Sequence, residues 1–359
     1  MKKRPGQRRT IVGRGAASDP KNRFERIEVV EDLSDVEGAE ENEPDRPQTV
    51  YYRDRTRSII TTNRSPDVGF EASLNPYRGC EHGCVYCFAR PNHEYLGLSA
   101  GLDFETKVLV KPDAPELLRR ELASPRYAPK TLAMSVATDC YQPVERVLGI
   151  TRRCLEVLAE ARHPVCVVTK NHLVTRDLDL LRELAGYNAA SVAVSLTTLD
   201  DELRRRMEPR TSSPRRRLAA IEKLAGAGVP VSVLVAPTIP GLTDHELPRL
   251  LEAAADAGAT GAGYTPVRLP YAVAPLFADW LERNYPDRRE KVLGRIREIR
   301  GGRLNDPRFG TRMRGEGVYA EHLRSLFEIG CKRAGLRRGV KKLSAEAFRR
   351  PTDQPSLFG

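Results

Sequence analysis

The 359-residue chain carries 59 Lys and Arg against 48 Asp and Glu, a formal net charge of +11, with 40% hydrophobic residues. That is enough apolar material for one large α/β domain with extensions, or for two ordinary domains. No run approaches the roughly 18 apolar residues of a membrane span, and the basic start "MKKRPGQRRT" leads into no apolar stretch of the kind a secretory signal needs. The expectation is therefore a cytoplasmic protein without a membrane segment, in a compartment that keeps thiols reduced and free to bind metal.

Charge is unevenly distributed. Residues 1 to 18 hold six basic side chains and no acid, whereas residues 25 to 45 hold ten acids against Arg26 alone. Residues 1–68 have few large apolar groups and no sustained period, which predicts a charged, largely disordered arm, or a peptide lying on the domain. From Arg283 to Arg350 there are twenty basic and eight acidic residues. That surplus would attract nucleic acid or another polyanion, and it reads equally as a solvated, Arg-rich helix surface.

From about Gly69 short apolar runs alternate with amphipathic stretches, the pattern of successive βα units. After a first strand near "EASLNPYR", the runs are "TLAMSVA" (131–137), "PVCVVTK" (164–170), "SVAVSL" (191–196), "VPVSVLVAP" (229–237) and "ATGAGYTPV" (259–267). Helical patterns lie between them at 144–161, 175–186, 213–228 and 244–258. In the first of these, Val147, Ile150, Cys154, Leu155 and Leu158 share one face. Gly186, Gly228 and Gly258 stand where helix C-caps are expected. Six such units over residues 69–270 predict a parallel sheet, either open and doubly wound or curled into a partial (βα)6 barrel. Ligands then collect at the carboxyl ends of the strands. Residues 271–359 predict a basic, mostly helical extension, with Trp280, Tyr285, Phe309 and Tyr319 among its arginines; these rings suit either base stacking or helix packing.

"RGCEHGCVYCFARP" follows the first strand and sets Cys80, Cys84 and Cys87 at C-x3-C-x2-C, with Gly79 and Gly83 to bend the loop. Three closely spaced thiolates suit a soft metal or an iron–sulfur cluster. A structural zinc site would need a fourth ligand, from His82 or His93. A cluster held by three cysteines leaves one iron open to a substrate or cofactor.

This spacing in the first loop of a six-unit barrel, with Tyr86 before the third cysteine, resembles the radical S-adenosylmethionine superfamily. The resemblance runs from about Ser73 to Val267. It implies a radical-SAM partial barrel, a [4Fe–4S] cluster on Cys80, Cys84 and Cys87, and S-adenosylmethionine (SAM) on the open iron. It further implies reductive cleavage of SAM to a 5′-deoxyadenosyl radical that abstracts hydrogen from substrate, and an electron donor such as flavodoxin or ferredoxin. Residues at the other strand ends match in kind. Thr138 and Asp139 are implied to meet the amino group of the cofactor, Lys170 or Arg210 its carboxylate, and Ser195 a polar position beside it. Ile239 and Gly241, in "APTIPGLTD", are implied to line the adenine pocket. Each also has a plain reading: Lys170 as a solvated loop lysine, Asp139 as a helix cap, and Glu208 with Arg210 as a loop ion pair.

"SVATDCYQPVE", "VVTKN" and "VSLTT" are most similar to the branch related to spore photoproduct lyase, a DNA-repair group that reverses a thymine dimer. The segments 13–25 and 73–108 resemble an uncharacterised bacterial family near that branch. The hydrogen-donating cysteine of the lyase has no counterpart here, since Ser135, Val136 and Ala137 occupy its place. Cys140 is the candidate hydrogen donor, and a small residue filling core space is its alternative. Cys154, Cys166 and Cys331 read as core, without spacing for a second cluster. The function implied is a radical SAM enzyme of unknown substrate. The alternatives are repair of a nucleic-acid lesion and, from another class, a zinc-containing nucleic-acid-binding protein.

Overall fold

The computed structural model describes residues 11–24 and 47–351. Among the described residues, eleven strands form two sheets. The larger has eight, in the order β11(Arg337–Arg338), β10(Gly261–Pro266), β9(Val231–Thr238), β8(Ala190–Ser195), β7(Val165–Thr169), β6(Leu132–Met134), β3(Ala72–Leu74) and β2(Ile60–Thr62). From β3 to β11 every neighbouring pair is parallel, and β2 runs antiparallel along the β3 edge. The six strands expected from the sequence are thus adjacent and in chain order, as a partial barrel requires. A second sheet, in the order β1(Val50–Arg53), β5(Lys107–Val110), β4(Tyr77–Arg78), flanks the cysteine loop.

β8 is buried at all six positions, and Val165, Val167, Val192, Val194, Val231, Val233 and Val235 form the middle of the main core. Strands covered on both faces read as continuous apolar runs. Each fully buried Val or Leu side chain contributes about 1.5–3 kcal/mol of transfer free energy. Helices cover the outside, and their starts are marked in sequence. The Asp200 carboxylate accepts from the amides of Glu202 and Leu203, and the Ser213 hydroxyl accepts from the Arg216 amide ahead of Pro214.

The helix expected over 144–161 is in fact two, Glu145–Leu148 and Ile150–Glu160, separated by Gly149 in the left-handed conformation at φ +61°. The break rotates Val147 out to 84% exposure while Ile150, Cys154, Leu155 and Leu158 remain in the core. Gly186 is the last helical residue rather than a cap; the left-handed turn falls on Asn188, at φ +53°. Gly228 and Gly258 do take positive φ after their helices.

The expected disordered arm divides. Residues 1–10 and 25–46 lie outside the described residues, whereas 11–24 lie against the domain and 47–68 contribute β1 and β2. The C-terminal extension is helical as expected, with helices Val273–Asn284, Pro286–Glu298 and Val318–Arg333. Of the four aromatics named above, Trp280 is buried beside Phe277, Tyr285 packs on Trp280, and the Tyr319 hydroxyl donates to Asp244. Of these four, Phe309 is largely exposed, at 62%, against the Arg312 guanidinium. Among the described residues no helix is long and apolar enough to cross a membrane.

Candidate active site

The cysteine loop leaves β4 and turns at Gly79 (φ +80°) and Gly83 (φ +66°). A Cβ on Gly79 would stand 2.9 Å from the His93 ring, so the turn is closed to any larger residue. Cys80 and Cys84 are buried, Cys87 is partly exposed, and all three thiols are free. Arg90, fully buried, braces the loop: its Nε donates to the Cys84 carbonyl at 3.0 Å and its Nη1 to the carbonyls of Ala100 and Gly101.

The loop then crosses the strand ends. The Val85 amide donates to the Met207 carbonyl at 3.1 Å, and the Arg210 amide to the His82 carbonyl at 3.3 Å. Cys84, Val85 and Tyr86 share an apolar cluster with Met207, Ile239, Val267 and Leu269. A loop that leaves the strand after β3 is therefore seated on residues that follow β8, β9 and β10.

Under the loop lies a polar floor drawn from β7, β8 and β9. Lys170 Nζ donates to Ser195 Oγ at 2.6 Å and to the Ala236 carbonyl at 3.2 Å, and lies 3.9 Å from Glu208 Oε1. Glu208, wholly buried, also accepts from the Tyr86 hydroxyl, from Thr197 Oγ1 at 2.9 Å, and from Arg217 in a buried ion pair. The two cations and one carboxylate leave a net positive charge next to the thiols. Burial pushes the Lys170 ammonium down from its ordinary value, opposed by the nearby Cys84. Burial likewise raises the Cys84 and Cys87 thiols; Glu208 raises Cys84 further, and Cys80 does the same to Cys87.

Not every residue expected at this floor is free to meet a ligand. Asp139 Oδ1 accepts from the Tyr141 amide and Thr169 Oγ1, and its Oδ2 from the Lys170 amide and, at 3.3 Å, His82 Nδ1. Those four contacts fill its acceptor capacity. Asp139 thus ties the loop after β6 to the end of β7 and to His82. Burial opposes a charge on the His82 ring, but Asp139 and Cys80 outweigh it and push His82 up to about 10. The Thr138 hydroxyl is committed to the Tyr77 carbonyl at 2.9 Å. Arg210 is turned away from Lys170: its guanidinium pairs with Glu81 at 3.0 Å and reaches Thr49. The ion-pair partner of Glu208 is Arg217, not Arg210.

Ile239 joins the apolar cluster beneath Tyr86, consistent with a pocket wall. Gly241 (φ +76°) instead lines a cavity of about 460 Å3 with Asp244, Arg288, Lys291, Arg295 and Tyr319. Cys140 belongs to the main core with Tyr77, Tyr141 and Cys154, fully buried, its amide on Ser135 Oγ and its carbonyl on Thr151 Oγ1. That packing corrects the candidate hydrogen donor to a core residue. Thr197, offered with Ser195 by "VSLTT", does reach the floor through Glu208, whereas Arg217 and Asn171 were not expected; Arg217 stands in the run "PRRRL", where its neighbours are solvated.

Three thiols free of disulfides, two of them buried and Cys87 partly exposed, stand beside a net positive floor and form a donor set for a soft, cationic centre. Among the described residues no three His, Cys, Asp or Glu side chains gather tightly enough for a single metal ion. Both histidines that zinc would need already have partners, His82 with Cys80 among its own. His93 Nε2 is 2.9 Å from the Lys107 carbonyl, and His82 lies between Asp139 and Asn171. Three thiols without a fourth protein ligand are the donor set an iron–sulfur cluster uses.

Comparison with known proteins agrees with this geometry. An uncharacterised protein of Mycobacterium tuberculosis is 40% identical over 232 residues, 64% of this chain and 67% of that one. A radical SAM Nalpha-GlyT isomerase of Pseudomonas phage M6 is 25% identical over 251 residues, 69% of this chain and 50% of that protein. Among solved structures, spore photoproduct lyase complexed with dinucleoside spore photoproduct has the same fold, with a TM-score of 0.56 at 18% identity over 81% of each chain. Residues 74–254 match the family model described as the radical SAM superfamily, and with its cysteine loop seated over the strand ends the chain belongs to that superfamily.

Proposed function

We propose that the protein binds one [4Fe–4S] cluster through Cys80, Cys84 and Cys87, binds SAM beside it, and performs radical chemistry on a nucleic-acid substrate, with reducing power from a donor such as flavodoxin or ferredoxin. The observation that carries this reading is the seating of the three-thiol loop, with Cys80 and Cys84 buried, on the Lys170–Ser195–Glu208 floor. When bound, the cluster supplies the electron that cleaves SAM and yields a hydrogen-abstracting radical.

The residues of this chain hold and shield. Lys170, fixed by Ser195 and the Ala236 carbonyl, offers its ammonium to an anionic group such as the methionine carboxylate of SAM. Glu208 keeps Lys170 and Tyr86 in place, and Arg217 neutralises the carboxylate that would otherwise cancel the positive charge. Asp139 fixes the backbone of Lys170, so the ammonium starts from a rigid strand end. Tyr86 and Ile239 exclude water from the space below the loop. Thr138 acts through the loop backbone, and Arg210 through Glu81.

The support for nucleic acid as substrate comes from one neighbour in fold, the lyase solved with a dinucleoside spore photoproduct. Repair of a lesion by Cys140 is not part of this proposal, because that residue lies in the core.

The test is anaerobic purification and reconstitution, followed by iron and sulfide analysis and a dithionite-reduced assay for 5′-deoxyadenosine, with Cys84→Ala as control. Four irons per chain, within about the accuracy of the assay, and cysteine-dependent 5′-deoxyadenosine are expected for one cubane cluster. Zinc in place of iron, in protein kept from oxygen throughout, would support the binding-protein alternative instead.

A further inference from the structure

Two residues past β10, Arg268 is held in a position that internal stability does not explain. Val267 and Leu269 on either side are fully buried in the apolar cluster with Tyr86 and Cys84. Arg268 has no carboxylate within ion-pair distance among the described residues. Its one hydrogen bond runs from Nη1 to the Met313 thioether at 3.2 Å, and sulfur is a weak acceptor. Its Nε is shut off from water without a partner. Nε and Nη2, the edge of a guanidinium that meets a phosphate or carboxylate side-on, are thus unused.

The neighbourhood adds positive charge. Arg300, wholly buried, donates to the carbonyls of Pro266, Val267, Thr311 and Arg312. Arg312 holds Asp67 through two hydrogen bonds, at 2.6 and 2.7 Å, so the nearest carboxylate is already taken. Asp306, the other acid of this region, is bound by Arg308 and Thr311. Burial and the charge of Arg312 both act against the Arg268 cation. A half-buried charge without a counter-ion destabilises a fold, and such sites persist where a ligand completes them.

One exposed aromatic ring lies against this charge, and two more lie against other arginines. Phe88, next in sequence to Cys87, has its centroid 5.3 Å from Arg268 Cζ and is 49% exposed. Phe309 lies 4.5 Å from Arg312 Cζ and Tyr271 lies 3.7 Å from Arg23 Cζ, at 62% and 63% exposure. Flat rings alternating with cations suit a chain of bases joined by phosphates.

We propose that Arg268 anchors a backbone phosphate of a single-stranded nucleic-acid substrate beside Cys87, with Phe88, Tyr271 and Phe309 as stacking surfaces for its bases; this rests on the nucleic-acid reading of the substrate given above. The phosphate supplies the counter-ion that the fold withholds. Arg268 is a binding residue that sets where the substrate chain lies relative to the cluster loop.

The test uses the full chain, a short fluorescein-labelled oligothymidylate at low salt, and the same oligonucleotide with neutral methylphosphonate linkages. Arg268→Met is expected to weaken binding by about tenfold or more, the effect of one charge-assisted contact. Wild-type protein should lose a similar factor on the neutral oligonucleotide, and the variant should lose less. Without ligand, Arg268→Met should melt at a higher temperature than wild type, because an uncompensated charge has been removed; a lower melting temperature would assign Arg268 a structural role and overturn the proposal. Equal oligonucleotide affinity of variant and wild type would also overturn it, while leaving the nucleic-acid reading intact. A wild-type protein with no affinity for the oligonucleotide overturns that reading and, with it, the phosphodiester assignment of Arg268.

Discussion

Arg217 on the helix Pro214–Gly226 and Glu208 in the loop before it form a fully buried ion pair, and the same carboxylate receives the hydroxyl of Tyr86 from the cysteine loop. One helix thereby controls the position of a residue flanked by two candidate cluster ligands. Arg217→Leu and Glu208→Leu should each destabilise the protein by about 3–5 kcal/mol, since each strands a buried charge. The double variant should cost clearly less than the sum of the two, by urea denaturation. Strict additivity would show that the two side chains do not act as a pair.

Lys170 provides the second prediction. Replacing it with Met retains the bulk of the buried stem and removes the ammonium held by Ser195 and Ala236. SAM affinity of the reconstituted variant, by equilibrium dialysis, should fall about tenfold or more, with iron content unchanged. Retained SAM affinity would rule out Lys170 as the partner of its carboxylate.

The N-terminal segment 11–24 is anchored at its middle by one buried carboxylate and further along by Arg23 on Glu94 and Asn22 on the carbonyls of Glu94 and Leu98. Glu105 accepts from the Gly15 and Ala16 amides at 3.0 and 2.8 Å and pairs with the buried Arg90. At Gly15 a Cβ would stand 1.8 Å from the Gly83 carbonyl oxygen, inside the cysteine loop. Gly15→Ala should therefore release the segment to limited proteolysis and lower iron incorporation. Wild-type protection from the protease in this variant would refute the docking.

His163 makes stability pH-dependent. Burial lowers it from an ordinary 6.5 to about 4, only weakly opposed by the Pro164 carbonyl. Tyr127 and Phe348 pack on the ring, and the Tyr127 hydroxyl is 2.7 Å from Nε2. Between those two values the unfolded chain binds a proton that the native ring does not. The contribution is complete above about pH 6.5 and is lost as pH falls through 4, by up to about 3 kcal/mol. His163→Gln should flatten that part of the melting-temperature profile; an unchanged slope would show that another group titrates there.

Strands and cysteines were legible because their signals are local: β-branched runs between turns, and three thiols within eight residues. Lys170 and Ser195 were legible from their place at strand ends. Val147 was not, because a single left-handed glycine at 149 reverses the face that a continuous helix would bury. Arg217 was hidden among solvated arginines of the same helix. Asp139 was located correctly, but its saturation depends on atoms from His82 and Thr169, which sequence spacing does not bring together. Segment 11–24 gave no apolar pattern, since backbone amides on Glu105 hold it rather than a hydrophobic face.

The seating of the cysteine loop also has a temporal side. Its supports arrive late in translation: Met207, Arg217, Val267 and Leu269 all follow the three thiols in the chain. Until Leu269 has left the ribosome the loop cannot be fully packed, so a growing chain presents Cys80, Cys84 and Cys87 uncovered for as long as it takes to add some 180 residues. The fold thus sets an interval in which metal can be delivered to open thiols, before the later strands close over them.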